Sequence, residues 1–489
     1  MKTISNSTLK EHVQVPDYDR SALQSRIVHI GFGAFHRAHQ ALYTDEMLSK
    51  SGSDWGICAV KLFSGAEFTQ ALREQDHLFT VQEKGAQTTE VKVIKSVTES
   101  LHPKLDGIQA VIDKMCEPQV AIVSLTITEK GYCVDPATGA LDRNNPAVLE
   151  DLVNPSNPKS AIGYIVQALS IRRKKGLGPF TVLSCDNMQE NGRVAKAAVL
   201  EFARLLDPEL SDWIRENISF PCTMVDRIVP AATEDTLAEI TEQLGCNDPC
   251  AIACEPFRQW VIEDDFVAGR PDWDLAGAEF VEDVLPYEEM KLRMLNGSHS
   301  FLAYLGYLAG YKYISDAITD SNFRRVVLDL MMLAQSPSLN MPEGTDIEGY
   351  ANRLIERFSN PNLKHQTWQI AMDGSQKIPQ RWGGSLQFHL TQGSEFSRLA
   401  TAIAGWMRYV SGVDEQGRFI DVKDPMADTL RQICDHHGLN PSVVPALLDI
   451  DTIFSPDIGK NPKLIDAVSS AYQSLLDNGA RRTVQALVR

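Results

Sequence analysis

The chain has 489 residues, 43% of them hydrophobic and 23% charged, with a formal charge of −17. That length exceeds one ordinary domain, so two or three are expected. The acidic balance argues against general binding to nucleic acid or anionic membranes, and no apolar stretch is long enough to span a bilayer.

The first twenty residues, MKTISNSTLKEHVQVPDYDR, have no apolar core followed by a cleavage site, so no signal peptide is expected. Nine cysteines without a framework fit free thiols in a reducing cytoplasm. Cys246, Cys250 and Cys254 are spaced by four, but Cys254 sits in the apolar run AIACEP, and no CxxC or HExxH accompanies the three. Buried thiols are expected there rather than a metal site.

In chain order, residues 1–25 form an arm. Arg26 to Phe32 then reads as a short apolar strand that runs into Gly31-Phe32-Gly33-Ala34-Phe35-His36-Arg37. Helical spacing follows at Ala38, Leu42 and Met47 and stops at Gly52. Strand, Gly-x-Gly turn and helix together are the context of a dinucleotide site. Gly31 permits the tight turn, and Gly33 lets the backbone approach a pyrophosphate at the helix N-terminus. His36 stands where the usual pattern has a third glycine.

A second strand is expected over Trp55 to Lys61. The acid that commonly binds the adenine ribose should lie near its tip. Glu67 is the nearest one; it reads equally well as a glutamate opening a helix. Further strand-like runs are Leu78 to Gln82, Val91 to Val97, Gln119 to Thr128, Phe180 to Cys185 and Ala251 to Cys254. Helical patterns over Asp106 to Met115, Ser160 to Arg173 and Asn191 to Leu206 separate several of them. The alternation predicts a parallel, doubly wound α/β sheet covered on both faces. Thr128, Glu129 and Lys130, then Asp186 and Asn187, then Asp226 and Arg227 end three of the runs. Ligands of such sheets bind beyond the carboxyl ends of strands, so these clusters are expected to face cofactor and substrate.

From Tyr287 onward helical periodicity dominates, predicting a second, mostly α-helical domain over 287–489 after a first over 1–286. Tyr287 to Tyr304 reads as one helix carrying Lys291, Asn296 and His299. Asn296-Gly297-Ser298 is weak helix-forming material, with Gly alone costing about 1 kcal/mol against Ala. A lysine, an amide and an imidazole on one helix suit an alcohol–carbonyl interconversion, in which one moves the proton, one stabilises the oxyanion and one orients. The same three types also occur as a solvated lysine, a turn and a structural histidine, and spacing alone does not separate the two readings. Further on, Lys377 and Arg381 stand four apart after the turn at Asp373-Gly374-Ser375. They are either an anion anchor in an acidic protein or a solvated basic turn.

With GFGAFHRAHQ, SLTITEKGY, VLSCDN, TMVDRIVP, EPFRQWVIEDDF and KLRMLNGSHSFLAYLG in order, nearly the whole chain resembles the mannitol dehydrogenase family of metal-independent polyol dehydrogenases, and most of all its fructuronate reductases. The resemblance implies a Rossmann-type N-terminal domain, a mostly helical C-terminal domain and NAD as cofactor. It implies that Lys291 is the acid/base, with Asn187, Asn296 and His299 beside it in catalysis. Gly31 to Arg37, Glu67 and Asp226 are expected to bind the cofactor, and Lys377 and Arg381 the substrate. Relatives usually carry Asp or Glu where Ala66 stands here, and that acid holds the ribose diol.

The expected protein is a cytoplasmic, metal-free, NAD-dependent reductase. It interconverts a keto-sugar acid and its aldonate, D-fructuronate with NADH giving D-mannonate, as a monomer or small homo-oligomer. A neutral-polyol dehydrogenase acting on mannitol or arabinitol is the alternative, and a catalytically silent NAD-binding sensor is a third reading.

Overall fold

The computed structural model describes residues 4–135 and 138–488. The chain divides into two compact units at Leu285/Pro286. Among the described residues no helix is long and apolar enough to cross a membrane.

The N-terminal unit contains β1 (Gln24–Ile30), β2 (Trp55–Val60), β3 (Phe79–Lys84), β4 (Thr89–Ile94), β5 (Val97–Leu101), β6 (Ile122–Leu125), β7 (Thr181–Ser184), β8 (Thr223–Asp226), β9 (Ile252–Cys254), β10 (Gln259–Glu263) and β11 (Glu279–Val281). Five of them pair in parallel in the order β5-β2-β1-β6-β7. Strands of such a sheet are covered on both faces and read as unbroken apolar runs. Accordingly, every residue of β2, β6 and β7 is buried. Val28, Ile30, Val60, Val123 and Leu125 pack into one core, and Ile27, Ile57, Ala59, Ile122 and Leu183 into another. β1 is central, with β2 on one side and β6 on the other. The strand order reverses there, which opens a crevice at the carboxyl ends of β1 and β6.

The remaining six strands do not extend this sheet, contrary to the single doubly wound sheet expected from the alternation. β3 pairs antiparallel with β4 and parallel with β9, and β10 pairs antiparallel with β8 and parallel with β11. Residue composition marks a run as a strand without saying which sheet takes it. The run Val91 to Val97 is divided between two sheets. The Lys95 N–H donates to the Asp45 carboxylate at 2.7 Å, and Ser96 Oγ donates to the Ala41 carbonyl at 2.7 Å. Both partners lie on the helix Gln40–Ser51, which draws the chain off one ladder and onto the next. The helix expected over Asp106 to Met115 is likewise two, Pro103–Asp106 and Ile108–Met115, broken at Gly107 with φ 86°.

The expectation that Arg227 faces a ligand also fails, because β8 lies in one of the small sheets. The Arg227 side chain is wholly buried and pairs with Glu83 of β3. It also donates to the carbonyls of Ala38 (2.6 Å) and Glu255 (2.9 and 2.7 Å). These bonds reach three different parts of the unit, so this guanidinium is an internal strut. Asp226, expected at the cofactor, is buried on β8 opposite Gln259.

In the C-terminal unit the helices Ile347–Phe358, Ser397–Val410, Ala427–His437 and Pro462–Gln485 follow the sequence periodicity. The helix Ser298–Leu308 is buried all round apart from Tyr307, so it forms the axis of the unit. The segment Tyr287 to Tyr304 is not one α-helix. An α-helix, Leu285–Met290, passes into a π-helical stretch, Lys291–Gly297, and then back into α. Two more π-helical stretches, Leu330–Gln335 and Pro379–Gly383, pack against the first. π-Helix accounts for well under about 1% of residues and clusters at functional sites, so three that converge mark this region.

Replacing Arg227 with Met should cost about 3 kcal/mol in urea unfolding, because Glu83 keeps only Lys92 as an ion-pair partner. A cost under about 1 kcal/mol would show that the strut is dispensable.

Candidate functional site

In the N-terminal unit an open pocket of about 790 Å³ lies at the strand-order reversal. It is lined after β1 by Gly31, Gly33, Ala34 and Phe35, after β6 by Thr126, Thr128, Glu129 and Lys130, and after β7 by Cys185, Asp186, Asn187 and Met188. Two of the three polar clusters expected to face a ligand thus line this pocket, and Asp226 and Arg227 are not among its lining residues.

The two glycines of the turn differ. Gly31 has φ 100°, and a Cβ there would collide with the Thr126 carbonyl. Gly31 is thus demanded by the chain itself. Gly33 has φ −106°, and a Cβ would meet only the Gly31 carbonyl at an ordinary 3.5 Å. Nothing in the folded chain requires glycine at Gly33, so the bare backbone there leaves room for a ligand. A dinucleotide pyrophosphate fits that cradle.

The rest of the expected cofactor stretch faces inward. Phe32 and His36 are buried, and Arg37 is 8% exposed. Arg37 Nε donates to the Gly33 carbonyl at 3.2 Å, Nη1 donates to the Cys250 carbonyl, and the guanidinium lies 4.7 Å over the Phe68 ring. Its side chain braces the turn from below instead of reaching outward. His36 fills the place of the usual third glycine by stacking on His29 of β1, with ring centroids 3.4 Å apart. His29 is held by the hydroxyls of Ser124 (2.8 Å) and Thr126 (2.9 Å). Burial pushes His29 down to about 3 and holds His36 well below its ordinary value, so both rings are neutral. These anchors break the expected helix at His39 into Ala34–Ala38 and Gln40–Ser51.

Asp186 organises the far wall. Its carboxylate accepts from the N–H groups of Ile127 (3.0 Å) and Thr128 (2.8 Å) and from the Tyr132 hydroxyl (2.6 Å). It thereby ties the loop after β6 to the loop after β7 and holds Thr128 at φ 62°. Asn187 follows it, exposed in the pocket lining. Glu67 is exposed in the first turn of the helix Ala66–Glu74.

In the C-terminal unit the π stretch starts at Lys291 and contains Asn296. In an α-helix these residues would stand about 140° apart around the axis. A π-helix bonds residue i to i+5, so residues five apart lie one above the other on the same face. The change of register therefore aligns the lysine with the amide. Lys291 is 7% exposed. The stretch is supported from outside: Arg381 Nη1 donates to the Asn296 carbonyl (3.2 Å) and the Ser300 hydroxyl (2.6 Å), and Trp382 Nε1 donates to the Gly297 carbonyl (3.2 Å). A Cβ on Gly297 would lie 2.5 Å from Gln335 Nε2. His299 follows on the buried helix. Burial, then the nearby His365, Arg381, Arg357 and Lys377, holds it well below its ordinary value.

Lys377 donates to the Met372 carbonyl at 2.6 Å. It lies near enough to Arg381 that burial and that guanidinium lower its ordinary value. The structure thus brings Lys377 and Arg381 together beside the helix of Asn296 and His299. The supporting roles of Trp382, Gln335 and Ser300 were not read from the sequence, where they look like ordinary core. All nine cysteines are free and buried, and among the described residues no group of three or more His, Cys, Asp or Glu is placed to hold a metal ion.

Two glycine substitutions separate folding from binding. Gly33→Val should leave stability within about 1 kcal/mol while weakening NADH binding about tenfold or more; Gly31→Ala should cost about 2–3 kcal/mol in unfolding. NADH titration by fluorescence and denaturant unfolding read the two effects. Gly297→Ala tests the π stretch. Helix propensity alone predicts a gain of about 1 kcal/mol, whereas the crowding against Gln335 predicts a loss of about 1–3 kcal/mol. A stabilised variant would refute the close approach.

Comparison with known proteins agrees with this geometry. Residues 25–275 match the mannitol dehydrogenase Rossmann domain and residues 283–476 the mannitol dehydrogenase C-terminal domain. The chain is 59% identical to the D-mannonate oxidoreductase of Escherichia coli over 100% of both chains. It is 39% identical to the mannitol 2-dehydrogenase of Aspergillus terreus, over 98% of this chain and 96% of that one. The mannitol 2-dehydrogenase of Pseudomonas fluorescens, solved as a ternary complex with NAD and D-mannitol, is 40% identical over 98% of this chain and 97% of its own, with a TM-score of 0.81. A Rossmann sheet with a glycine cradle, followed by a helical unit carrying Lys291, Asn296 and His299, and matched over its length in this way, belongs to the mannitol dehydrogenase family.

Proposed function

We propose that this protein is an NAD-dependent oxidoreductase that interconverts a keto-sugar acid and its aldonate, D-fructuronate and D-mannonate being the pair. Full-length identity of 59% to a D-mannonate oxidoreductase, against 39–40% to mannitol 2-dehydrogenases, supports the acid over the neutral polyol. The N-terminal unit serves as the cofactor domain, with the Gly31 to Phe35 turn as its cradle and Glu67 as the ribose partner. Bound NAD supplies the hydride acceptor in alcohol oxidation, and NADH the donor in the reverse reaction. The residues from 287 onward carry catalysis and substrate binding.

The observation that carries the acid/base assignment is the π register. It sets Lys291 and Asn296 on one face, so that a proton carrier and an amide donor converge on one substrate oxygen. Lys291 takes the proton from the hydroxyl in oxidation and returns it in reduction. The Asn296 amide donates to the same oxygen as negative charge develops, and Asn187 acts on the substrate oxygen as well. Burial and the nearby basic groups lower the proton affinity of His299, which makes it the poorer proton carrier of the two; it orients substrate. Arg381 and Lys377 anchor the carboxylate. Arg381 commits Nη1 to the helix and leaves Nε and Nη2 for a bidentate partner.

Lys291→Ala should lower turnover about 10³-fold and still bind NADH. Activity within about tenfold of the parent would move the proton role elsewhere. Catalytic efficiency with NADH should favour D-fructuronate over D-fructose, and the reverse order would select the neutral-polyol reading.

A further inference from the structure

The residue that follows β2 is a lysine. Lys61 stands one place beyond Val60, which pairs with Ile30 at the end of β1, so it lies level with the glycine turn. In dinucleotide-binding sheets this place commonly carries the acid that binds the ribose 2′-hydroxyl, whereas a cation nearby accommodates a 2′-phosphate. The ammonium reaches the turn itself: Lys61 Nζ donates to the Phe32 carbonyl at 3.3 Å.

The stem of Lys61 is fixed. The loop after β2 folds over it, and Gly65, with φ 87°, lies so close that a Cβ there would collide with Lys61 Cε. Phe68, on the helix Ala66–Glu74, holds the other side, with Lys61 Nζ 5.3 Å from its ring centroid. The Arg37 guanidinium lies 4.7 Å from the same ring and directs its donors to the Gly33 and Cys250 carbonyls. Lys61 has no carboxylate partner among the described residues; its contacts are the Phe32 carbonyl and the Phe68 ring. Burial, then Arg37, lowers its proton affinity, the direction expected of a cation without a counter-charge. An ammonium carries three N–H donors, and the Phe32 carbonyl takes one of them. The next helix opens on Ala66, which brings no charge. Glu67 is exposed and makes no hydrogen bond or ion pair among the described residues, so it is free to turn to solvent.

We propose that Lys61 is a specificity-determining residue for the cofactor, which receives the 2′-phosphate of NADPH, so that the enzyme uses NADPH as well as NADH. This rests on the reading of the N-terminal unit as the cofactor domain. With NADH the ribose diol turns to Glu67, and the lysine contributes little. With NADPH the ammonium meets a phosphate and donates charge-assisted hydrogen bonds to it. An acid in place of Lys61 would act in the opposite sense, accepting from the diol and repelling the phosphate. Because Gly65 and Phe68 hold the side chain before the cofactor arrives, little ordering remains to be done on binding.

The test uses the full-length protein and fluorescence titration with NADH and NADPH, in the parent, Lys61→Met and Lys61→Arg. The parent should bind NADPH within about tenfold of NADH. Lys61→Met should weaken NADPH about 10- to 100-fold and NADH less than about threefold. Lys61→Arg, which keeps a cation, should bind NADPH within about threefold of the parent. In competition, 2′,5′-ADP should displace NADH from the parent better than 5′-AMP does, and this advantage should vanish in Lys61→Met. A parent that binds NADH but holds NADPH more than about tenfold more weakly overturns the proposal and leaves the cofactor reading intact. Equal losses on both cofactors in Lys61→Met would make the lysine a support of the turn and overturn its role in specificity. Inorganic phosphate that displaces NADPH as well as 2′,5′-ADP does would show a general anion site and overturn it too. A parent that binds neither cofactor fails the cofactor-domain reading itself.

Discussion

The five-residue hydrogen-bond register from Lys291 to Gly297 is the constraint on which the helical unit is built. An α-helix satisfies each carbonyl with the N–H four residues on. Where a π stretch returns to α, the register changes and carbonyls look for partners outside the ladder. Here Arg381 and Trp382 supply them, donating to Asn296 and Gly297. Both donors sit on a π stretch of their own, opened by Pro379, which has no N–H to give its ladder. Gly297 lets the two ribbons approach, because any side chain there would meet Gln335. Each irregular segment supports another, so the strained register persists in a unit that is otherwise ordinary helix packing.

The N-terminal unit depends on a comparable close approach. Gly31 passes against the Thr126 carbonyl, which brings the loops after β1 and β6 together where the strand order reverses. Asp186 then joins the loops after β6 and β7. The pocket wall is thus built from three strand ends locked to one another. The usual third glycine, which would let helix and strand close up, is replaced by a histidine that stacks flat on another histidine of β1. Two neutral rings in face-to-face contact fill the space that a shorter helix–strand distance would remove. The helix accommodates them by breaking at His39.

Charge is distributed to the same end. The chain carries 64 acidic and 47 basic side chains, which repels anions at long range. Against that background the cations around His299 act at short range, in a place where burial weakens screening. Burial also lowers the proton affinity of the imidazoles of His29, His36 and His299, so these three rings stand neutral.

Local pattern was enough to read the parallel strands β1, β2, β6 and β7, the helices Asn191–Leu206 and Ile347–Phe358 and the glycine turn. These depend on period, on capping and on residue types close together in the chain, and burial on one or both faces writes itself into such short windows. The sequence did not show which sheet takes β3, β8 or β9, because a strand's partners lie far off in sequence and any apolar run suits several ladders. It placed Arg37, His36 and Arg227 toward ligand, whereas the packing turned them inward onto carbonyls and rings contributed by residues as distant as Cys250 and Glu83. It showed a weak point at Asn296-Gly297 but not its π register, which exists only because Gln335, Arg381 and Trp382 press against it from other helices. Period and propensity are properties of neighbours along the chain; register, sheet membership and the charge around a buried ring are properties of neighbours in space, and only the tertiary structure decides those.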